Sequence, residues 1–99
     1  MYLVSLSHSA AASLRSLPPD AQRECKKLVD DLKKVGNRLG KPLGNKYGMD
    51  LTGCYKIYFF ERQYRIVYTM LTAEEVYILA IGKRQDLQAY VEAYKNMKQ

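Results

Sequence analysis

The stretch CYKIYFFERQYRIVYTM, residues 54–70, holds two alternating runs separated by a short polar segment. In the first, Tyr55, Ile57 and Phe59 share one face; in the second, Tyr64, Ile66, Tyr68 and Met70 do. A period of two marks half-buried β-strands, and aromatic and β-branched side chains suit a pleated surface. The spacing predicts strands over 54–60 and 64–70. A four-residue connection, Glu61 to Tyr64, sets Phe60 opposite Arg65. The aromatic faces should cover helices. The opposite face then carries Lys56, Tyr58 and Phe60 beside Arg65, Val67 and Thr69, with Lys56 about two rungs from Arg65. Two cations thus look out from one sheet surface.

Downstream, VYILAI, residues 76–81, is the longest uninterrupted apolar run, and it is apolar on both faces, which suits a central strand over 75–82. The three strands are joined closely enough for an antiparallel meander. Beyond them Leu87, Tyr90, Val91 and Tyr94 recur at helical spacing, which predicts a terminal helix from Leu87 to Met97. Upstream, YLVSL at 2–6 alternates as a half-buried strand, with Tyr2, Val4 and Leu6 on one side. Ser7 or Ser9 can cap a short helix with Ala10, Leu14 and Leu17 inward, ending at Pro18. Pro19 and Asp20 open a second helix, where Ala21, Cys25, Leu28, Val29, Leu32 and Val35 form an apolar stripe. The reading is an α+β domain: N-terminal strand, helical hairpin, antiparallel three-stranded meander and C-terminal helix, all within residues 1–99.

Between the second helix and the meander lies GNRLGKPLGNKYGMDLTG, with glycines at 36, 40, 44, 48 and 53. A membrane-dimer GxxxG face is excluded, because Pro42 and several charges interrupt it. A Walker loop is excluded as well, since GNRLGKP is one residue short and puts Pro42 where the hydroxyl residue belongs. The segment reads as a basic loop whose glycines supply positive φ angles, with Gly36 closing the second helix.

At 99 residues the chain is long enough for one core without a disulfide scaffold. Hydrophobic residues make up 47% and charged residues 26%, a globular composition, and no run approaches the ~20 apolar residues of a membrane span. The N-terminus MYLVSLSHSA has no basic region, and its apolar stretch breaks at Ser5; the expectation is a soluble protein of the cytoplasm, without a signal peptide. Cys25 and Cys54 have no metal-ligand spacing and are expected as buried free thiols. The formal net charge is +6, and the excess is concentrated. From Lys33 to Arg65 eight basic residues, Lys41, Lys46, Lys56 and Arg62 among them, face only Asp50 and Glu61. Such a field suggests nucleic acid, an acidic protein partner, or both; a solvated basic face kept for solubility is the plainer alternative.

The segment GKRQDLQAY, residues 82–90, sets Lys83 and Arg84 at the mouth of the apolar strand, on the side of Lys56 and Arg65. With a single histidine, His8, in the chain, acid–base chemistry would have to run on groups that ordinarily titrate far from neutrality. The element order, CYKIYFFERQYRIVYTM and VYILAIGKRQDLQAY together resemble the RelE branch of the RelE/ParE toxin superfamily. The resemblance covers essentially the whole chain, the N-terminal half in pattern only. It implies a type II toxin that cuts messenger RNA in the ribosomal A site, contacts ribosomal RNA, needs no cofactor or metal, and is held inactive by a cognate antitoxin. It carries the family's catalytic positions onto Lys56, Arg65, Arg84 and Tyr90. Lys41, Lys46, Tyr58, Arg62 and Lys83 are the expected RNA contacts. At Tyr58 the chain departs from the family, which has a second hairpin lysine there.

Cleavage requires the 2′-hydroxyl to lose a proton, the phosphorane charge to be stabilised and the departing 5′-oxygen to gain a proton. Arg65 and Arg84, charged throughout, suit the second task. Lys56 suits the role of base or electrostatic stabiliser, and Tyr90 that of an orienting or proton-transferring group. Periodicity alone would instead put Tyr90 in the core. Other functions consistent with the sequence are a ParE-like toxin that inhibits DNA gyrase, a non-catalytic relative that binds only RNA or antitoxin, and a nuclease of free RNA.

Overall fold

The computed structural model describes residues 1–85 and 87–97. In chain order the elements are β1 (Leu3–Leu6), α1 (His8–Ser16), α2 (Pro19–Val35), a 3₁₀ turn (Gly36–Arg38), β2 (Lys41–Pro42), β3 (Asn45–Lys46), β4 (Met49–Asp50), β5 (Cys54–Phe59), β6 (Tyr64–Thr72), β7 (Glu75–Lys83) and α3 (Gln88–Met97). The architecture is α+β. One mixed sheet has strand order β1-β7-β6-β5-β2, with β1 parallel to β7 and the other pairs antiparallel. β3 and β4 form a separate ribbon.

Each face of the sheet has its own core. On one side the α1–α2 hairpin buries Ala10, Ala21, Cys25 and Leu32 against Phe59, Ile66, Tyr68 and Ile78. On the other, α3 and the segment before β5 bury Ala89, Tyr90, Ala93, Leu43 and Leu51 against Cys54, Val67 and Leu79. The alternation of β5 and β6 assigns side chains to these faces as expected, and Lys56, Tyr58 and Arg65 fall on the α3 side.

Local chemistry explains the helices. The Ser7 hydroxyl accepts from the Ala10 N–H at 3.1 Å and donates to the Leu79 carbonyl at 2.8 Å, capping α1 and tying it to β7. In α2, Pro19 and Asp20 occupy the first turn and Lys33 and Lys34 the last, which complements the helix dipole. Gly36 ends it at φ +58°, and a Cβ there would meet the Tyr2 ring at 2.6 Å. Cys25 and Cys54 are buried free thiols, pushed up to about 12 and about 11 by burial. Among the described residues no helix is long and apolar enough to cross a membrane.

Three expectations need correction. Register pairs Tyr58 with Arg65 and Phe59 with Tyr64, so the β5–β6 turn is residues 60–63, one residue earlier than the spacing suggested. Phe60, Glu61 and Arg62 all adopt left-handed backbone, at φ +52°, +53° and +65°, and Phe60 packs toward the hairpin side near Tyr64 rather than facing Arg65. The glycine-rich segment is not only a loop: β2 pairs Lys41 with Lys56 and Pro42 with Tyr55, and the β3–β4 ribbon follows. Finally, α3 turns Ala89, Tyr90 and Ala93 inward, while Leu87, before its first turn, is 39% exposed. Gly82 faces Ala89, where a Cβ would lie 3.2 Å from that methyl, so small residues on both sides let helix and strand approach closely.

Candidate active site

Where α3 leaves the sheet uncovered, the β5–β6 turn, the end of β7 and the β3–β4 ribbon surround an open cavity of about 750 Å³. Lys56, Arg65, Arg84 and Tyr90 line it, as do Lys46, Tyr58, Arg62 and Lys83. Lys41 does not; its backbone lies opposite Lys56 on the edge strand, and its side chain is exposed. Tyr47, Glu61, Gln63, Tyr64 and Gln85 also line the wall and carried no signal in the sequence reading. Tyr47 sits at the ribbon tip, 72% exposed.

Arg65 is 4% exposed. Its guanidinium carbon lies 4.2 Å from the centre of the Tyr90 ring, which is itself buried, and one terminal nitrogen donates to the Arg84 carbonyl. The backbone N–H of Arg84 donates at 2.8 Å to the Gln63 carbonyl, which clamps the chain after β7 to the β5–β6 turn. These contacts fix both arginines from two separate segments. Arg65 Nε is buried and meets no hydrogen-bond partner among the described residues. The guanidinium nevertheless contributes to the cavity wall beside Arg84, and a fixed, permanently charged donor group there is suited to an anionic oxygen.

Tyr58 is the hub of the cluster. Its ring centre lies 4.9 Å from Lys56 Nζ and 4.7, 5.8 and 5.2 Å from the guanidinium carbons of Arg62, Arg65 and Arg84. Lys56 Nζ donates to the Tyr58 hydroxyl at 3.1 Å. That hydrogen bond, helped by the charge of Lys56 and by Arg84 and Arg65, pulls the phenol down to about 8. The ion pairs among the described residues, Arg23 with Asp20 and Lys33 with Asp30, lie on α2, and neither neutralises a cavity cation. Nor do three His, Cys, Asp or Glu side chains among the described residues come together as a metal site.

The profile of the family described as phage derived protein Gp49-like matches residues 12–98. The chain belongs to this family. No curated protein sequence matches it. Among solved structures, this Gp49-like chain is similar to the toxin-antitoxin complex RelBE2 from Mycobacterium tuberculosis, at 27% identity and TM-score 0.69 over 84% of this chain and 98% of that one. A mutant of the E. coli toxin RelE in the free state shares 23% identity, with TM-score 0.74 over 97% of each chain. The archaeal RelE-RelB complex from Pyrococcus horikoshii matches at 22% identity and TM-score 0.60, over 84% of this chain and 94% of that one. The Gp49-like chain therefore has the RelE fold.

Proposed function

We propose that this protein is the toxin of a type II toxin–antitoxin pair and a ribosome-dependent endoribonuclease that cuts mRNA in the A site. The observation that carries the reading is the cation cluster: buried Arg65, held by the Tyr90 ring and the Arg84 carbonyl, set beside Arg84 and Lys56 in a cavity open to a polymer. The RelE fold and the toxin–antitoxin complexes among the similar structures support it.

In this reading Arg65 and Arg84 hold the scissile phosphate and stabilise the charge added in the phosphorane, as preorganised donors in a partly desolvated site do. Tyr90 acts through Arg65, keeping the guanidinium in place by stacking. Lys56 is an electrostatic stabiliser. Lys46, Lys83 and Arg62 guide the backbone of the RNA, Lys41 extends that path along the edge strand, and exposed aromatic surface holds unstacked bases. The partner that restrains the activity is an antitoxin with an acidic segment that folds over the cavity. Work on translating ribosomes places the toxin in the cytoplasm.

Toeprinting of an mRNA on programmed ribosomes with purified protein tests the reading. Cleavage within the A-site codon is expected, lost on substituting Arg65 or Arg84 by alanine. An uncut message under these conditions would overturn it.

A further inference from the structure

The ribonuclease reading leaves open which group takes the proton from the attacking 2′-hydroxyl. From the packing of the cavity we infer that it is Tyr58, acting as a phenolate; the inference rests on the proposed ribonuclease function and names the base within the same site.

Geometry singles out Tyr58. Among the described residues it is the one side chain toward which the cations of three separate segments converge: Lys56 from β5, Arg62 and Arg65 from the β5–β6 hairpin, and Arg84 beyond β7. Its oxygen accepts a hydrogen bond from the Lys56 ammonium at 3.1 Å, an arrangement that stabilises the anion more than the neutral phenol. The half-buried ring lies in the cavity wall and is accessible to substrate. Among the described residues, the other charged groups lining the cavity are Lys46 and Lys83, whose sign favours the anion, and Glu61, whose sign opposes it. A phenol drawn down to about 8 is largely protonated at rest yet ionises within the range in which ribosomes work, close to the optimum for a general base.

The other candidates fit less well. Arginine side chains do not deprotonate, and Lys56 is the donor that holds the phenolate. Tyr90 is 3% exposed beneath Arg65, and Tyr64 is stacked on Phe59 in the opposite core. Glu61, exposed on the turn, and Tyr47, exposed at the ribbon tip and away from the converging cations, are the remaining rivals.

The step balances. The Tyr58 oxygen takes the 2′-hydroxyl proton as the 2′-oxygen bonds to phosphorus and the bond from phosphorus to the 5′-oxygen breaks. The 5′-oxygen takes a proton from a water of the open cavity. The hydroxide left behind is neutralised by the Tyr58 proton, which restores the phenolate. The products are a 2′,3′-cyclic phosphate and a 5′-hydroxyl.

The test is the pH dependence of single-turnover cleavage on programmed ribosomes for wild type, Tyr58→Phe and Glu61→Gln. The wild-type rate should rise tenfold per pH unit and level off at or above pH 8. In Tyr58→Phe the rate should fall by about 10²–10⁴-fold, the span of general acid–base catalysis, and lose that rise. Glu61→Gln should keep it. An mRNA with sulfur in place of the scissile 5′-oxygen, whose departure needs no proton, should leave the Tyr58→Phe defect intact. Rescue by that substrate would make Tyr58 the acid and overturn the proposal, as would an unchanged profile in Tyr58→Phe or a flattened one in Glu61→Gln. If wild type cuts nothing, the ribonuclease reading itself fails; if it cuts and Tyr58→Phe cuts alike, only this assignment does.

Discussion

Arg65, Arg84, Lys56 and Tyr90 stand within one cavity although they come from four elements or connections of the chain. The convergence of Lys56, Arg65 and Arg84 was legible, because alternation put Lys56 and Arg65 on one face and the apolar run of β7 led Arg84 toward them, whereas Tyr90 came to the site only through the family resemblance. The part played by Tyr58 was not. Its place between four cations depends on a register offset by one residue, set by left-handed backbone at Phe60, Glu61 and Arg62, none of which is the glycine that usually signals such a turn. Tyr58 also predicts a pH dependence of stability. Its folded-state ionisation lies near 8, below the usual value of 10, so between those two the unfolded chain binds the extra proton. Stability relative to Tyr58→Phe should therefore increase as pH rises from 8 to 10, and that increment should be lost as pH falls through 8. Urea midpoints of the two proteins across this range check it; a constant difference would show that the phenol is not held as an anion in the fold.

At the scale of elements, α1, α2, the three meander strands and α3 were legible, since each carries a period long enough to count. β2, β3 and β4 have two residues each, too few for any period, and their pairing is decided by contacts with β5 and with each other. The parallel alignment of β1 with β7 joins segments some seventy residues apart and leaves no local mark. On α3 the stripe was legible at Tyr90 and Tyr94, which pack on the core, but not at Ala89 and Ala93: residues small enough to approach Gly82 and the sheet carry less weight in a hydrophobic pattern than the exposed Leu87. The end of α2 was legible from Gly36 and offers a sharp test. Gly36→Ala would force φ +58° on an L-residue and press a methyl on the Tyr2 ring, so it should destabilise the fold by about 2 kcal/mol or more. A denaturation midpoint within error of wild type would mean that α2 can end in another way.

For the whole molecule, which carries a formal net charge of +6, Lys46, Lys56, Arg62, Arg65, Lys83 and Arg84 line one cavity with the single carboxylate Glu61 among its described residues, and no ion pair among the described residues neutralises them. Such a surface favours a polyanion and equally an acidic protein segment, and the two should compete. Co-expression with the adjacent reading frame should yield a complex that elutes as one species and does not cleave mRNA; elution as separate species would count against an antitoxin partner. The central claim is that Arg65 and Arg84 hold the scissile phosphate. Single-turnover cleavage of mRNA on programmed ribosomes by folded Arg65→Ala, Arg65→Lys and Arg84→Ala measures this most directly. Either alanine variant is expected to slow the reaction by about 100-fold or more, some 3 kcal/mol of lost transition-state stabilisation, with Arg65→Lys restoring only part of it. An alanine variant within about tenfold of wild type, ~1.4 kcal/mol, would contradict the account.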